Sequence, residues 1–397
     1  MNSTIQIIKE LMYSLLQSFE LLRRSQMTYS SGVFSSYIPA QIIPDIAPEP
    51  RDCEIAERLL SAYRSSVKDG YKSAVEREDI WSHIRTQQPT FFAALESDAP
   101  SLLASYLCNR SRYDATHGTL QGRREYLKIK LNPLYRRYIS RLTKDKLVLL
   151  AEAVGAVACE NPEQGVWGNN FRLPIDQLVQ AIESRIGLEI APPAIDGGLL
   201  KITGASAQFN ERDINAIFTA WSLASILGNL SASSICEIGA GTGRVAYWSW
   251  RLGVKSYSLI DLPHINVIQG FYLLKALPDA NIRLYGEPEQ ASQQGHEITI
   301  FPANYIGKFE PRQFNLVLNQ DSFPEIHADI VQEYLMQIRK ISRQYFLSIN
   351  HESCPPGGEN FTHISVQQLI DKVGGYTRLS RMPYWLRKGY VMELYEV

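Results

Sequence analysis

The residues best suited to chemistry lie between Glu237 and Asp261. The run Ile235-Cys-Glu-Ile-Gly-Ala-Gly-Thr-Gly-Arg244 reads as a short apolar strand carrying Glu237, then three glycines. A helix from Val245 to Leu252 follows and stops at Gly253. Glycine is needed where a backbone turns tightly and lets a ligand approach with no Cβ in the way. A helix starting directly after such a turn offers free N–H groups to that ligand. The next strand, Ser256 to Asp261, ends in a carboxylate suited to gripping two ribose hydroxyls. Strand, glycine turn, helix, strand, acid is half of a nucleoside-binding α/β unit. The dinucleotide pattern G-x-G-x-x-G wants Gly or Ala where Arg244 stands, which disfavours a nicotinamide dinucleotide.

The spacing Glu237-x-Gly239-x-Gly241-x-Gly243, with Asp261 behind it, resembles motif I of class I S-adenosylmethionine-dependent methyltransferases. That resemblance implies that Glu237, Gly239, Gly241 and Gly243 surround the methionine part of the cofactor and that Asp261 holds its ribose. Leu262 and His264 follow the acid and are expected to line the same pocket, with Asn319 contributing from a later strand end. The loop Phe301-Pro-Ala-Asn304 follows a strand where this fold often contacts adenine, so Asn304 is the candidate there; a plain turn residue is the alternative.

A narrower likeness rests on several segments together. Glu237-Ile-Gly-Ala-Gly-Thr-Gly-Arg-Val-Ala-Tyr-Trp248, Asp261-Leu-Pro-His264 and Leu284-Tyr-Gly-Glu287 belong to it, with Asn319-Gln-Asp-Ser-Phe-Pro-Glu-Ile326 and Ser348-Ile-Asn-His-Glu352. They resemble the sugar O-methyltransferases that act on deoxysugars in natural-product pathways. The likeness covers about Phe209 to Val397 and is looser before it, where Leu131-Asn-Pro-Leu-Tyr135 is the main match. It implies a sulfonium that carries the reactive methyl and a protein that aligns an acceptor hydroxyl behind it. A protonated hydroxyl is a poor nucleophile, so a base or a metal should assist. His351, just past a strand end, is the favoured base, with Asp321 and Glu325 next. Those three with Glu352 could gather around a divalent ion, but no pair has a helix-spaced ligand signature and no metal is assigned.

Positioning these residues requires strands alternating with helices. Apolar strands are expected at Ile235 to Ile238, Tyr257 to Ile260, Ile282 to Tyr285, Ile298 to Phe301, Phe314 to Leu318 and Tyr345 to Ile349. The last pair, around Met382 to Trp385 and Tyr390 to Tyr395, fits an antiparallel hairpin. Asn210 can cap a helix from Glu211 to Leu227 directly before the first strand. The pattern is α/β: a Rossmann-like doubly wound sheet with an antiparallel last hairpin, preceded by a mainly helical region.

In that earlier region helices are expected at Ile55 to Val67, Val75 to Arg85, Ser101 to Cys108, Tyr126 to Ile139, Lys144 to Ala158 and Ile175 to Ile186. Thr116 to Gly122 and Asn161 to Asn170 read as polar loops, and residues 25 to 52 as a long irregular connection. Ala191-Pro-Pro-Ala-Ile-Asp-Gly-Gly198 is the best linker, dividing a helical domain at 1–198 from a catalytic domain at 199–397. The helical domain is a candidate lid, substrate wall or homodimer face. The stretch Ile5 to Leu22 is amphipathic and too polar to span a membrane, and it lacks the features of a signal peptide.

A chain of 397 residues with 45% apolar and 20% charged content is ordinary globular protein of about two domains. The net charge of −1 offers no nucleic-acid footprint. Five scattered cysteines without a C-x-x-C make structural zinc and a disulfide framework unattractive and suit a cytoplasmic setting. The resemblance to sugar O-methyltransferases implies a small-molecule sugar or glycoside as the partner. The competing reading is a catalytically silent copy of the same fold that binds a protein partner.

Overall fold

Runs such as Phe314-Asn-Leu-Val-Leu318 are apolar on both faces, as strands covered by helices on both sides must be. The computed structural model places them in an eight-stranded sheet. The structure describes residues 40–69, 88–113, 122–166, 168–195, 197, 200–203, 208–289, 296–352 and 364–397. The expected helices at Ile5 to Leu22 and Val75 to Arg85 lie outside these residues, as does most of the loop from Thr116.

The elements before the large sheet are β1 (Ala40–Ile42), α1 (Pro50–Lys68), α2 (Pro89–Glu96), α3 (Pro100–Cys108), α4 (Gly122–Leu131), α5 (Pro133–Ala153), α6 (Ile175–Ile186), β2 (Leu200–Thr203), β3 (Gln208–Phe209) and α7 (Glu211–Leu227). The sheet region holds β4 (Ser234–Ile238), α8 (Arg244–Leu252), β5 (Ser256–Asp261), α9 (Pro263–Ala276), β6 (Ile282–Arg283) and β7 (Glu297–Pro302). It closes with β8 (Phe314–Gln320), α10 (Ala328–Ile341), β9 (Ser342–His351), α11 (Val366–Val373), β10 (Thr377–Pro383) and β11 (Tyr390–Glu396).

The sheet order is β10-β11-β9-β8-β4-β5-β7-β6. β4 through β9 run parallel, and β11 lies antiparallel between β9 and β10. This is the doubly wound sheet with an antiparallel last hairpin that the sequence calls for. The chain leaves β4 for β5 on one side and later returns to lay β8 on the other. The carboxyl ends of β4 and β8 therefore flank a topological switch point, where such sheets open a ligand crevice. Side chains alternate between faces. Cys236, Ile238, Ile260, Val317 and Phe346 share one buried cluster with Val331, Leu335 and Ile338 of α10 and with Val366 and Ile370 of α11. On the other face α9 comes close enough for Gly270 that an added Cβ would meet Leu284 and Ile300.

The described residues group into two compact units that differ from a division at 198. One takes those of Met1–Ile46, Asn109–Tyr113 and Gln121–Phe218; the other takes those of Ala47–Cys108 and Thr219–Val397. In the first unit β2 pairs antiparallel with both β1 and β3, which carries that unit past the Pro/Gly segment. Its helix boundary also moves. The periodicity suggests a break between Ile139 and Lys144, but the break falls at Asn132–Pro133. Pro133 has no N–H to give the preceding helix, and the Asn132 side chain accepts from the N–H groups of Leu134 and Tyr135, so α5 runs unbroken from there. Asn210 caps α7 as expected, accepting from the N–H groups of Arg212 and Asp213 at 2.9 and 3.0 Å.

In the second unit α1 lies against α9. Asp52, 1% exposed, accepts from Lys275 Nζ at 2.8 Å and from the N–H of Glu49 at 2.9 Å. Burial works against its ionisation, but the Lys275 ammonium and the Glu49 N–H outweigh it and hold the carboxyl below the usual range. The expected strand at Ile282 to Tyr285 shortens to β6, because Glu287 accepts from the Leu284 N–H at 2.9 Å and turns the chain. Asp52→Ala leaves a cation without its partner and should cost about 3 kcal/mol in a urea melt. A carboxylate depressed in the folded state stabilises above its unfolded pKa and loses that contribution as pH falls through the folded value. The deficit of the variant should accordingly be full near neutrality and shrink below about pH 4; a deficit independent of pH would refute the ion pair.

Candidate active site

The glycine turn adopts the conformation its composition allows. Gly239, Gly241 and Gly243 have φ of 74°, 58° and 82°, all in the left-handed region. At Gly239 a second constraint applies, because an added Cβ would run into the Ser322 side chain. Gly243 forms the N-cap of α8. The turn is locked to the next strand by two bonds. The Gly239 N–H donates to the Ile260 carbonyl at 2.8 Å, and the Gly241 N–H donates to Asp261 Oδ2 at 3.0 Å.

Asp261 is a node. Its Oδ1 accepts from the Leu262 N–H at 2.8 Å, and its Oδ2 also accepts from Gln269 Nε2 at 2.9 Å. Burial pushes its carboxyl up to about 7, against the pull of those three donors. Glu237 is 2% exposed and accepts from the Tyr257 hydroxyl at 2.8 Å. Burial pushes the Glu237 carboxyl up to about 8; the phenol opposes the rise and the nearby Asp261 charge adds to it. Two acids with raised pKa values therefore stand near the ends of β4 and β5, where burial disfavours their charged forms.

The Asn319 side chain has a different task from the expected one. It is fully buried and its amide is already engaged. Nδ2 donates to the Ile238 carbonyl at 3.0 Å and to Ser322 Oγ at 2.6 Å, while Oδ1 accepts from Asn350 Nδ2 at 3.0 Å. It ties the ends of β4, β8 and β9 together, leaving no amide hydrogen for a cofactor.

Beyond it the expected acceptor-side residues converge in part. Asp321 has φ of 68°, uncommon for a residue with a side chain, and its N–H donates to the Ile349 carbonyl at 3.0 Å. Its carboxylate takes Arg387 Nη1 at 2.5 Å and the Tyr390 hydroxyl. The Arg387 guanidinium lies 3.8 Å from the Tyr390 ring centre, and the His351 ring meets the same ring edge-on at 5.5 Å. Glu325 ends a single helical turn at Phe323–Glu325 and adds its charge beside Tyr390. Glu352 turns away, paired with Arg381 at 2.8 and 2.7 Å. Among the described residues no group of three or more His, Cys, Asp and Glu is placed to hold a metal ion. His264 is 8% exposed and packs on Phe92 and Phe91, with ring centres at 5.2 and 6.4 Å. Asn304 is exposed.

Several residues of the cluster escape a reading of strand ends. Tyr384, Arg387 and Tyr390 lie in and beside the hairpin turn between β10 and β11, held by mutual backbone bonds of 2.8 to 3.2 Å. The Thr219 hydroxyl, in α7, meets Gln320 Oε1 and the Tyr384 hydroxyl, each at 3.0 Å. The one available signal was the density of hydrogen-bonding aromatics in Tyr384-Trp-Leu-Arg-Lys-Gly-Tyr390.

The raised acids fix the sign of a pH effect on the free protein. A carboxyl whose folded pKa exceeds its unfolded value holds its proton longer in the folded state, so stability falls as pH climbs between the two. The window here runs from about 4, the unfolded carboxyl range, to the folded values of about 7 and 8. Tm should decline across it, and Glu237→Gln should flatten the decline; an unchanged slope in the variant would refute the assignment.

Comparison with known proteins gives a likeness to solved structures over somewhat less than half of the chain. No protein-family model matches this chain, and no curated protein matches it. Among solved structures, a Burkholderia thailandensis 1,6-didemethyltoxoflavin-N1-methyltransferase with bound S-adenosylhomocysteine is 17% identical, with a TM-score of 0.32, covering 46% of this chain and 77% of its own. The magnesium protoporphyrin IX methyltransferase of Synechocystis PCC 6803, also with S-adenosylhomocysteine, is 11% identical, with a TM-score of 0.34, covering 46% and 83%. A glycopeptide N-methyltransferase complexed with S-adenosylhomocysteine is 15% identical, with a TM-score of 0.34, covering 45% and 88%. Similarity of this extent says nothing of what this chain binds or acts on.

Proposed function

We propose that this chain is an S-adenosylmethionine-dependent O-methyltransferase whose acceptor is a hydroxyl of a sugar or glycosylated small molecule. The observation that carries the cofactor reading is the left-handed glycine turn whose Gly241 N–H rests on the Asp261 carboxylate beside the switch point of the sheet. The fit is both steric and electrostatic. Gly239 makes a left-handed turn packed so closely on Ser322 that no side chain could stand there, and Glu237 with Asp261 suits a ligand bearing a sulfonium and an ammonium. Glu237, the three glycines, Asp261 and Leu262 would hold that ligand. When bound, it supplies an electrophilic methyl group.

The remaining work belongs to the protein. The glycine turn and Asp261 fix the donor, and the cluster at the ends of β8, β9 and β11 orients the acceptor. His351 is the base in this reading. Asp321 is already bound to Arg387 and Tyr390, so it positions the hairpin turn rather than taking the proton. A wall of hydroxyl, amide and guanidinium groups from Thr219, Gln320, Tyr384 and Arg387 suits a polyol, since such groups can exchange partners with sugar hydroxyls. The likeness of the segments around Asn319 and His351 to sugar O-methyltransferases supports the same class.

Two substitutions separate the roles. Asp261→Ala should weaken S-adenosylmethionine binding about 100-fold by calorimetry, within the range for losing hydrogen bonds to a charged group, while the fold persists. Unchanged affinity would end the ribose assignment. His351→Ala should lower turnover about 100- to 1,000-fold with candidate glycosides, the span of general-base catalysis, and leave cofactor affinity nearly intact. Near-normal turnover would move the base role to Glu325.

A further inference from the structure

We infer that Asn266 reads the edge of the cofactor's adenine, an inference that rests on the cofactor reading above and assigns its base-recognition residue. Asn266 lies in the first turns of α9 and is 9% exposed, yet neither its Oδ1 nor its Nδ2 has a hydrogen-bond partner. Buried amides are ordinarily satisfied, and an orphan pair asks for a missing partner.

Its direction follows from its neighbours on the helix. Gln269, three residues on, reaches Asp261. Gly270, four residues on, faces Leu59, Leu284 and, at 3.8 Å from an added Cβ, Ile300 of β7. Residues three and four apart share a helix face, so Asn266 belongs to the stripe that covers the sheet. It sits one turn nearer the carboxyl ends of the strands than Gly270 does. Along β7 the side that holds Ile300 also holds Pro302, and along β5 the side that holds Leu259 holds Asp261. The register sets Leu259 beside Ile300 and Asp261 beside Pro302. Asn266 thus lies over the paired ends of β5 and β7, between the ribose acid and the loop that follows β7.

A base attached to a ribose on Asp261 reaches this place. Adenine offers an amine donor next to a ring-nitrogen acceptor, and a carboxamide offers the complementary acceptor and donor in the same plane. Asn304, the candidate from the sequence, is exposed and lacks the desolvation that makes such a pair selective.

The test uses calorimetry with S-adenosylhomocysteine and with its analogue lacking the exocyclic amine, on the full chain. The native protein should prefer the adenine form by about 10- to 100-fold, the range of one bidentate pair. Asn266→Leu should bind both forms alike. It should also raise Tm of the free protein, because it removes an unpaired buried amide; a merely structural asparagine would lower it. Asn266→Ala, which asks the site to take no branched side chain, should abolish the preference in the same way. Native-like discrimination in either variant overturns the inference alone. Failure of the native protein to bind S-adenosylhomocysteine at all overturns the inference together with the cofactor reading.

Discussion

One side-chain amide joins the three strand ends on which the site is built. Asn319 closes β8 onto the last carbonyl of β4 and accepts from Asn350 of β9. It also holds Ser322 against Gly239. Because the bond to Ile238 is made just where β4 passes into the glycine turn, the position of that turn depends on the adjoining strand as well as on its own dihedrals. The strained backbone of Asp321 follows from the same closure: two residues past Asn319 the chain must reverse to avoid the crevice, and the Ile349 carbonyl holds it there. Removing the amide would break its bonds to Ile238, Ser322 and Asn350 together, a larger loss than any one contact suggests.

A second tier of organisation is electrostatic. Asp261 stands close enough to Glu237 to raise the Glu237 carboxyl, and Glu237 is buried while Asp261 is part-buried. Compensated charges lie along the hairpin. Asp321 with Arg387, and Glu352 and Glu393 with Arg381, form neutralised pairs along the hairpin. The hairpin side is thus built from ion pairs and hydroxyls, and the ends of β4 and β5 carry acids of raised pKa.

How far this was legible in the sequence depends on the range of the interactions. The glycine turn, an acid at the end of the following strand and the alternation of strands and helices are local patterns, and each appears where the residues indicate. Asn210 as a cap was legible for the same reason. The roles of Asn319, His264 and Glu352 were not, because each depends on partners far along the chain: Ile238, the Phe91 and Phe92 rings, and Arg381. Helix periodicity also could not place the break at Pro133, since apolar spacing continues across it. Grouping of α1 to α3 with the sheet rests on contacts such as Lys275 with Asp52, again invisible to a reading that looks for linkers.

The two rims of the sheet end differently, and each ending bears on how the protein behaves at high concentration. A sheet edge exposes unpaired backbone groups that can template a foreign strand. At one rim β6 has only two residues, too few to seed such pairing. At the other, β10 is seven residues long and carries the exposed Leu379 and Met382, a risk by composition. There Arg378 and Arg381 flank Leu379 and converge on the buried Glu393, and Pro383 ends the strand without a donor. A chain docking on that rim would meet guanidinium groups anchored from beneath and a proline at its far end. The ion pairs that steady the hairpin thereby also make that rim a poor template for a foreign strand.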